Sequence, residues 1–129
     1  MIAVDTNVLV RFLTEDEPEQ AARARYLFES GTVFIPLTVL LETYWVLHRA
    51  KNLPSDLVLR KLVAITRMTQ VTVEDSPRFD RVIALTDAGM EFADALHLTS
   101  VDTDVHFATF DRRMVTVAQR SGLRTVYSP

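Results

Sequence analysis

The chain has 129 residues, 48% of them hydrophobic and 24% charged, with 14 Lys and Arg against 17 Asp and Glu for a net charge of −3. That is the size and balance of one ordinary globular domain with its own core, which excludes disordered, collagenous and coiled-coil chains. With no Cys and three His at no regular spacing, a disulfide framework is excluded and a structural zinc site is disfavoured, while oxygen-preferring metals stay open.

Apolar periodicity switches repeatedly between strand and helix, the signature of βα units on a parallel sheet. Ile2 to Val4 reads as a short buried strand that runs into Asp5-Thr6-Asn7, three residues that favour helix N-termini, and Val8, Leu9, Phe12 and Leu13 mark the following helical face. Pro18 opens a second helix, closed by Ser30-Gly31, and Thr32 to Ile35 is the second strand. A long apolar helix is predicted over Leu37 to Ala50, then another from Ser55, acting as cap, to about Met68. Val71 to Val73 reads as a third strand, Pro77 to Ala88 as a helix ending at Gly89, and Phe92 to Ser100 as one more. The last βαβ unit comprises a buried strand Val105 to Phe110, a helix Asp111 to Arg120, and a closing strand Arg124 to Tyr127.

No linker, low-complexity tract or internal repeat interrupts this pattern, so one domain over residues 1–129 is expected, of the α/β class with about five short strands. The longest apolar run, Val33 to Leu41, is far shorter than the ~18 residues of a membrane span. Met1-Ile2-Ala3-Val4-Asp5 lacks a basic leader, and together with the absence of Cys this leads to an expected cytoplasmic location. With pI near 5.5, any polyanion must be held by a local patch or a metal rather than by the field of the whole protein.

Four acids stand where folding alone would not put them. Asp5 and Asp111 each follow a strand, at the sheet edge where open α/β sheets bind ligands. Glu42 lies in an apolar helix near Val39, Trp45 and Val46, and Asp94 lies between Met90 and Leu98, neither with a cation at i±3 or i±4. If those faces are buried, each isolated charge costs several kcal/mol unless compensated. Each acid also has an ordinary explanation: Asp5 and Asp111 as helix N-caps, Glu42 and Asp94 as a solvated stripe or as partners of a distant Arg. Together they suggest convergence on Mg²⁺ or Mn²⁺, because clustered carboxylates repel unless a proton or a divalent cation neutralises them.

Other polar and aromatic residues carry less. Glu15-Asp16-Glu17 reads as a solvated turn, and Asp102 and Asp104 as a loop pair at the wrong edge of the sheet. His97 follows Asp94 by three residues and is read first as a packed or partly exposed side chain. Tyr26, Tyr44 and Trp45 are read as core or interface, with base stacking the weaker alternative. Arg11, Arg112 and Arg113 are the cations nearest in sequence to the strand-end acids, equally open to phosphate contact and to ordinary surface roles.

Val4-Asp5-Thr6-Asn7-Val8-Leu9-Val10, Leu41-Glu42, Gly89-Met90-Glu91-Phe92-Ala93-Asp94-Ala95-Leu96-His97-Leu98 and Thr109-Phe110-Asp111-Arg112-Arg113, in this order, resemble the PIN domain and, within it, the VapC-type toxins of bacterial toxin–antitoxin pairs. The resemblance covers nearly the whole chain. It implies a three-layer α/β/α fold with a central, mainly parallel sheet, and a Mg²⁺- or Mn²⁺-dependent endoribonuclease. Asp5, Glu42, Asp94 and Asp111 match the family's metal-binding acids, Thr6 and Asn7 its polar positions after the first acid, and Thr109 the small hydroxyl residue before the last. Asp102 and Asp104 depart from the small or glycine-containing turn of the family.

On this resemblance a metal-activated water attacks the RNA phosphodiester, leaving 5′-phosphate and 3′-hydroxyl ends. Arg112 and Arg113 are candidate phosphate contacts. A VapB-type antitoxin covering the pocket and a homodimer are the implied partners. Three other readings compete: a PIN-like module that binds RNA or protein without cleaving, cleavage of DNA instead of RNA, and a receiver-type domain phosphorylated on Asp5. The last lacks the second acid beside Asp5 and a Lys after the fourth strand.

Overall fold

The computed structural model describes residues 1–129, which form two compact units, Met1–Asp75 and Ser76–Pro129. In the first, strands β1 (Ile2–Ala3), β2 (Val33–Ile35) and β3 (Val71–Val73) pair in parallel in the order β1-β2-β3. Ile2 stands opposite Val33, and Val33 opposite Val71. The Val4 N–H donates to the Phe34 carbonyl at 3.1 Å, so the ladder reaches the residue before Asp5. Val33 and Ile35 are fully buried on the middle strand. β1 is an edge strand, and its expected burial is limited to Val4: Ile2 is 53% exposed because only one neighbour covers it.

Helices α1 (Thr6–Thr14), α2 (Pro18–Ser30), α3 (Leu37–Trp45) and α4 (Ser55–Thr66) complete this unit. α1 packs on α2 and α3, and α4 packs on α3 and β3. Leu9, Phe28, Leu40, Leu47, Val58 and Leu62 fill the space between them. The helix predicted over Leu37 to Ala50 is continuous but changes pitch: Val46–Ala50 is π-helical, with the Lys51 N–H donating to the Val46 carbonyl five residues back. Ser55 does not cap α4. Extended Pro54 holds the cap position, and the Ser55 hydroxyl pairs with the Tyr44 hydroxyl at 2.7 Å. α2 ends at Ser30 with Gly31 as its C-cap, as read, and Gly31 has an extended backbone with φ −166°.

Thr43 on α3 is fully buried, and its Oγ1 has no hydrogen-bond partner. A hydroxyl removed from water without compensation is destabilising, so Thr43→Val, which keeps the shape, is expected to stabilise the fold by about 1 kcal/mol. A rise in the urea midpoint without a change in slope is the expected readout; a fall contradicts it.

The second unit begins with α5 (Ser76–Asp87) and α6 (Phe92–Leu98), packed on each other. Between them Gly89 has φ +108°, a left-handed conformation that closes α5 and that side chains resist. The Arg78 guanidinium ties the two helices, Nε donating to Thr99 Oγ1 at 3.1 Å and Nη2 to the Leu96 carbonyl at 2.6 Å. Strand β4 (Phe107–Ala108), helix α7 (Arg112–Arg120) and strand β5 (Val126–Tyr127) then form the parallel βαβ unit read from the sequence. Phe79, Val82, Phe92, Ala95, Val117, Ala118 and Val126 are among the buried side chains of the second unit.

The strand expected as buried from Val105 to Phe110 is much shorter and largely exposed. Only Phe107 and Ala108 pair within the strand, β4 has a single strand partner, and Val105 and Phe110 are 47% and 83% exposed. All five strands are found, all in parallel register, divided between a three-stranded and a two-stranded ladder. No helix is long and apolar enough to cross a membrane.

Candidate functional site

Asp5 and Asp111 are built alike. Each follows a strand, takes an extended backbone as the N-cap of the next helix, and accepts a backbone N–H three residues on: Val8 onto Asp5 Oδ1 and Met114 onto Asp111 Oδ1, both at 3.0 Å. The ordinary capping role is therefore real. It occupies one oxygen of each carboxylate, and both side chains stay exposed, so the second oxygen is open to a ligand.

Asp94 sits in the first turn of α6, half-buried. Burial holds its carboxyl above the ordinary value of 3.8, and the negative charge of Asp111 raises it further, while His97 opposes the shift. These two acids are thus within electrostatic reach of one another in the second unit. His97 itself is exposed. For Glu42 the solvated-stripe alternative is the one observed. It lies on the solvated side of α3, with Thr38 one turn before it and Trp45 one turn after it exposed as well. No three Asp, Glu or His side chains stand close enough together to hold a metal ion by themselves.

The supporting residues differ in what they can do. Thr6 is buried and Asn7 exposed in the first turn of α1. Thr109 Oγ1 accepts the Asp111 backbone N–H at 3.0 Å and so fixes the approach to the last acid. Arg11 is engaged by Asp16 at 3.2 Å and donates to Gln20 Oε1 at 2.8 Å, which satisfies much of its charge within the fold. Arg112 and Arg113 are exposed and form no ion pair. Replacing both with Ala is expected to flatten the dependence of RNA binding on salt by about one unit of slope or more. An unchanged slope in a salt titration removes them from the interface.

Of the aromatics read as core or interface, Tyr44 is buried, whereas Tyr26 and Trp45 are 72% and 46% exposed and so lie outside the core, and the Arg49 guanidinium lies over the Trp45 ring at 4.8 Å. One feature escaped the sequence reading. Between α1 and α2 a groove of about 370 Å³ runs from Asp5 and Asn7 past Val8, Ala24 and Leu27 to Arg23. Its signal in the sequence was the i, i+3, i+7 spacing of Gln20, Arg23 and Leu27 along one face of α2.

A family model described as the PIN domain matches residues 2–120. A solved structure of the Mycobacterium tuberculosis toxin VapC20, described as cleaving the sarcin–ricin loop, is similar at 18% identity over 100% of this chain and 89% of that chain, with a TM-score of 0.46. No curated protein sequence matches.

Proposed function

Since the chain belongs to the PIN domain family, we propose that it is a divalent-metal-dependent endoribonuclease of the VapC type, acting in a toxin–antitoxin pair. The observation that carries this reading is Asp94, a half-buried carboxylate held in the protonated direction by burial and by the like charge of Asp111. A fold gains nothing from such a pair, whereas a cation relieves it. The donors fit a hard ion, being carboxylate oxygens without sulfur or imidazole, which suits Mg²⁺ or Mn²⁺.

Asp94 and Asp111 would hold the ion, and Asp5 and Glu42 are the further acids on which activity depends. When bound, such an ion lowers the pKa of a water and offsets charge on phosphoryl oxygens. The chain does the rest. Thr109 fixes the backbone at Asp111, the α1 N-terminus at Thr6 and Asn7 offers N–H groups to an anionic oxygen, and Arg112 and Arg113 hold the RNA backbone. A VapB-type antitoxin, a homodimer and a cytoplasmic location complete the proposal; a monomeric mass by light scattering at micromolar concentration would remove the homodimer.

The test is incubation of total RNA with the purified chain and Mg²⁺ or Mn²⁺, against EDTA and against Asp5→Asn and Asp94→Asn. Asn caps a helix about as well as Asp, so at position 5 the variant removes the charge and keeps the cap. Metal-dependent fragments with 5′-phosphate ends, absent from both variants, are expected. If all three proteins bind RNA alike and none cleaves, the chain is a binding module; 2′,3′-cyclic phosphate ends would point to attack by the 2′-hydroxyl.

A further inference from the structure

The groove between α1 and α2 joins three kinds of surface that folding does not require together. At one end stands Asp5 with an open carboxylate oxygen, along the floor lie Val8, Ala24 and Leu27, and Arg23 completes the lining. Of the two guanidiniums there, Arg11 is neutralised by Asp16, but Arg23 takes part in none of the chain's ion pairs, which are Arg11–Asp16, Arg25–Glu15, Lys51–Asp16 and Arg60–Asp56. An unpaired cation in a chain of net charge −3 is a local attractor for an anion, not part of a general positive field.

We propose that this groove seats one nucleotide of single-stranded RNA beside Asp5, with its phosphate on Arg23 and its ribose and base against Val8, Ala24 and Leu27. The inference rests on the ribonuclease reading and adds a substrate subsite to it. At about 370 Å³ the groove is at the small end of ligand pockets, the scale of a single nucleotide. The mixture of an apolar floor with one cation also matches the way single strands are held, by a charge that tracks the backbone and a surface that takes the base without reading it.

Binding of a fluorescent 20-nucleotide single-stranded RNA pool to the full chain, in EDTA and over a range of salt, tests the subsite. Arg23→Gln is expected to weaken binding about tenfold, the worth of one charge-assisted hydrogen bond, and to reduce the slope of log affinity against log salt by about 0.7. Arg23→Lys should recover the slope, because it restores the charge. Arg25→Gln, on the same helix and outside the groove, should match wild type in both binding and cleavage. Arg23 is exposed, and equal thermal melts would show that all three variants fold.

If wild type cleaves RNA while Arg23→Gln keeps its affinity and slope, the subsite is wrong and the ribonuclease reading stands. If wild type neither binds nor cleaves RNA, both fall. If Arg23→Gln binds RNA normally but loses a co-expressed small protein partner, the groove is a protein-docking surface and the nucleotide assignment is overturned.

Discussion

Asp94→Asn is expected to cleave RNA about 10²–10³-fold more slowly than wild type, the usual scale for losing one electrostatic contact to a reacting centre, and at the same time to fold more stably without metal. The carboxyl of Asp94 is raised above its ordinary 3.8 in the folded protein, first by burial and then by Asp111. A raised acid means that the native state binds the proton more tightly than the unfolded chain. Below 3.8 both states are protonated and the group costs nothing. As pH rises through the raised value the native state loses this advantage, so stability falls across that window. Wild type in EDTA should therefore lose more of its melting temperature between pH 3 and 7 than Asp94→Asn does. Added Mg²⁺ or Mn²⁺ should restore wild type and leave the variant unmoved. Parallel pH profiles for the two proteins would show that Asp94 carries no such penalty.

Phe28→Ala is expected to destabilise the first unit by about 3–5 kcal/mol, the range for truncating a buried Phe. Phe28 is 1% exposed, and its ring stacks on Phe12 with centroids 4.2 Å apart. Its carbonyl also accepts from Gln70 Nε2 at 3.0 Å, joining the end of α2 to the entry of β3. That loss is a large part of the 5–15 kcal/mol that holds a typical domain, and it should lower the denaturant midpoint strongly. Phe28→Leu, which keeps most of the volume, should recover more than half of the effect. A change below about 1 kcal/mol for Ala would mean that the site collapses around the gap.

The sequence disclosed the order of elements well because each start and stop had a local cause. Asp5 and Asp111 cap their helices, Pro18 opens α2, and Gly89 and Gly122 take positive φ at helix ends. Burial was harder to read, because it depends on what each element meets. Ile2 and Phe110 are apolar but sit on or beside strands with one paired edge, and Glu42 belongs to an apolar helix while lying on its wet side. Ser55 fits a cap by composition, yet Pro54 holds that place by backbone geometry. Of the four acids, the electrostatic link between Asp94 and Asp111 required coordinates, since 17 residues separate them in the chain. The spacing of Gln20, Arg23 and Leu27 marks one face of α2 but not what that face meets; only the groove beside α1 distinguishes Arg23 from Arg25.

The π-helical turn at Val46–Ala50 fits one more residue into a turn than an α-helix would. It can therefore be regarded as a single-residue insertion absorbed by the helix, and it should be erasable. Deleting His48, between Trp45 and Arg49, is expected to let α-helical pitch continue with little change of phase downstream, because four residues at α-helical pitch turn the chain through about as much as the five of the wider turn. Arg49 would then follow Trp45 by three positions instead of four, still on its face, and Glu42, which precedes the turn, would keep its place. Circular dichroism reads the gain in regular helix, and unchanged tryptophan fluorescence reads the kept pair. The wide turn is thus slack in the helix, taking up one residue of length without passing it on to the segment beyond.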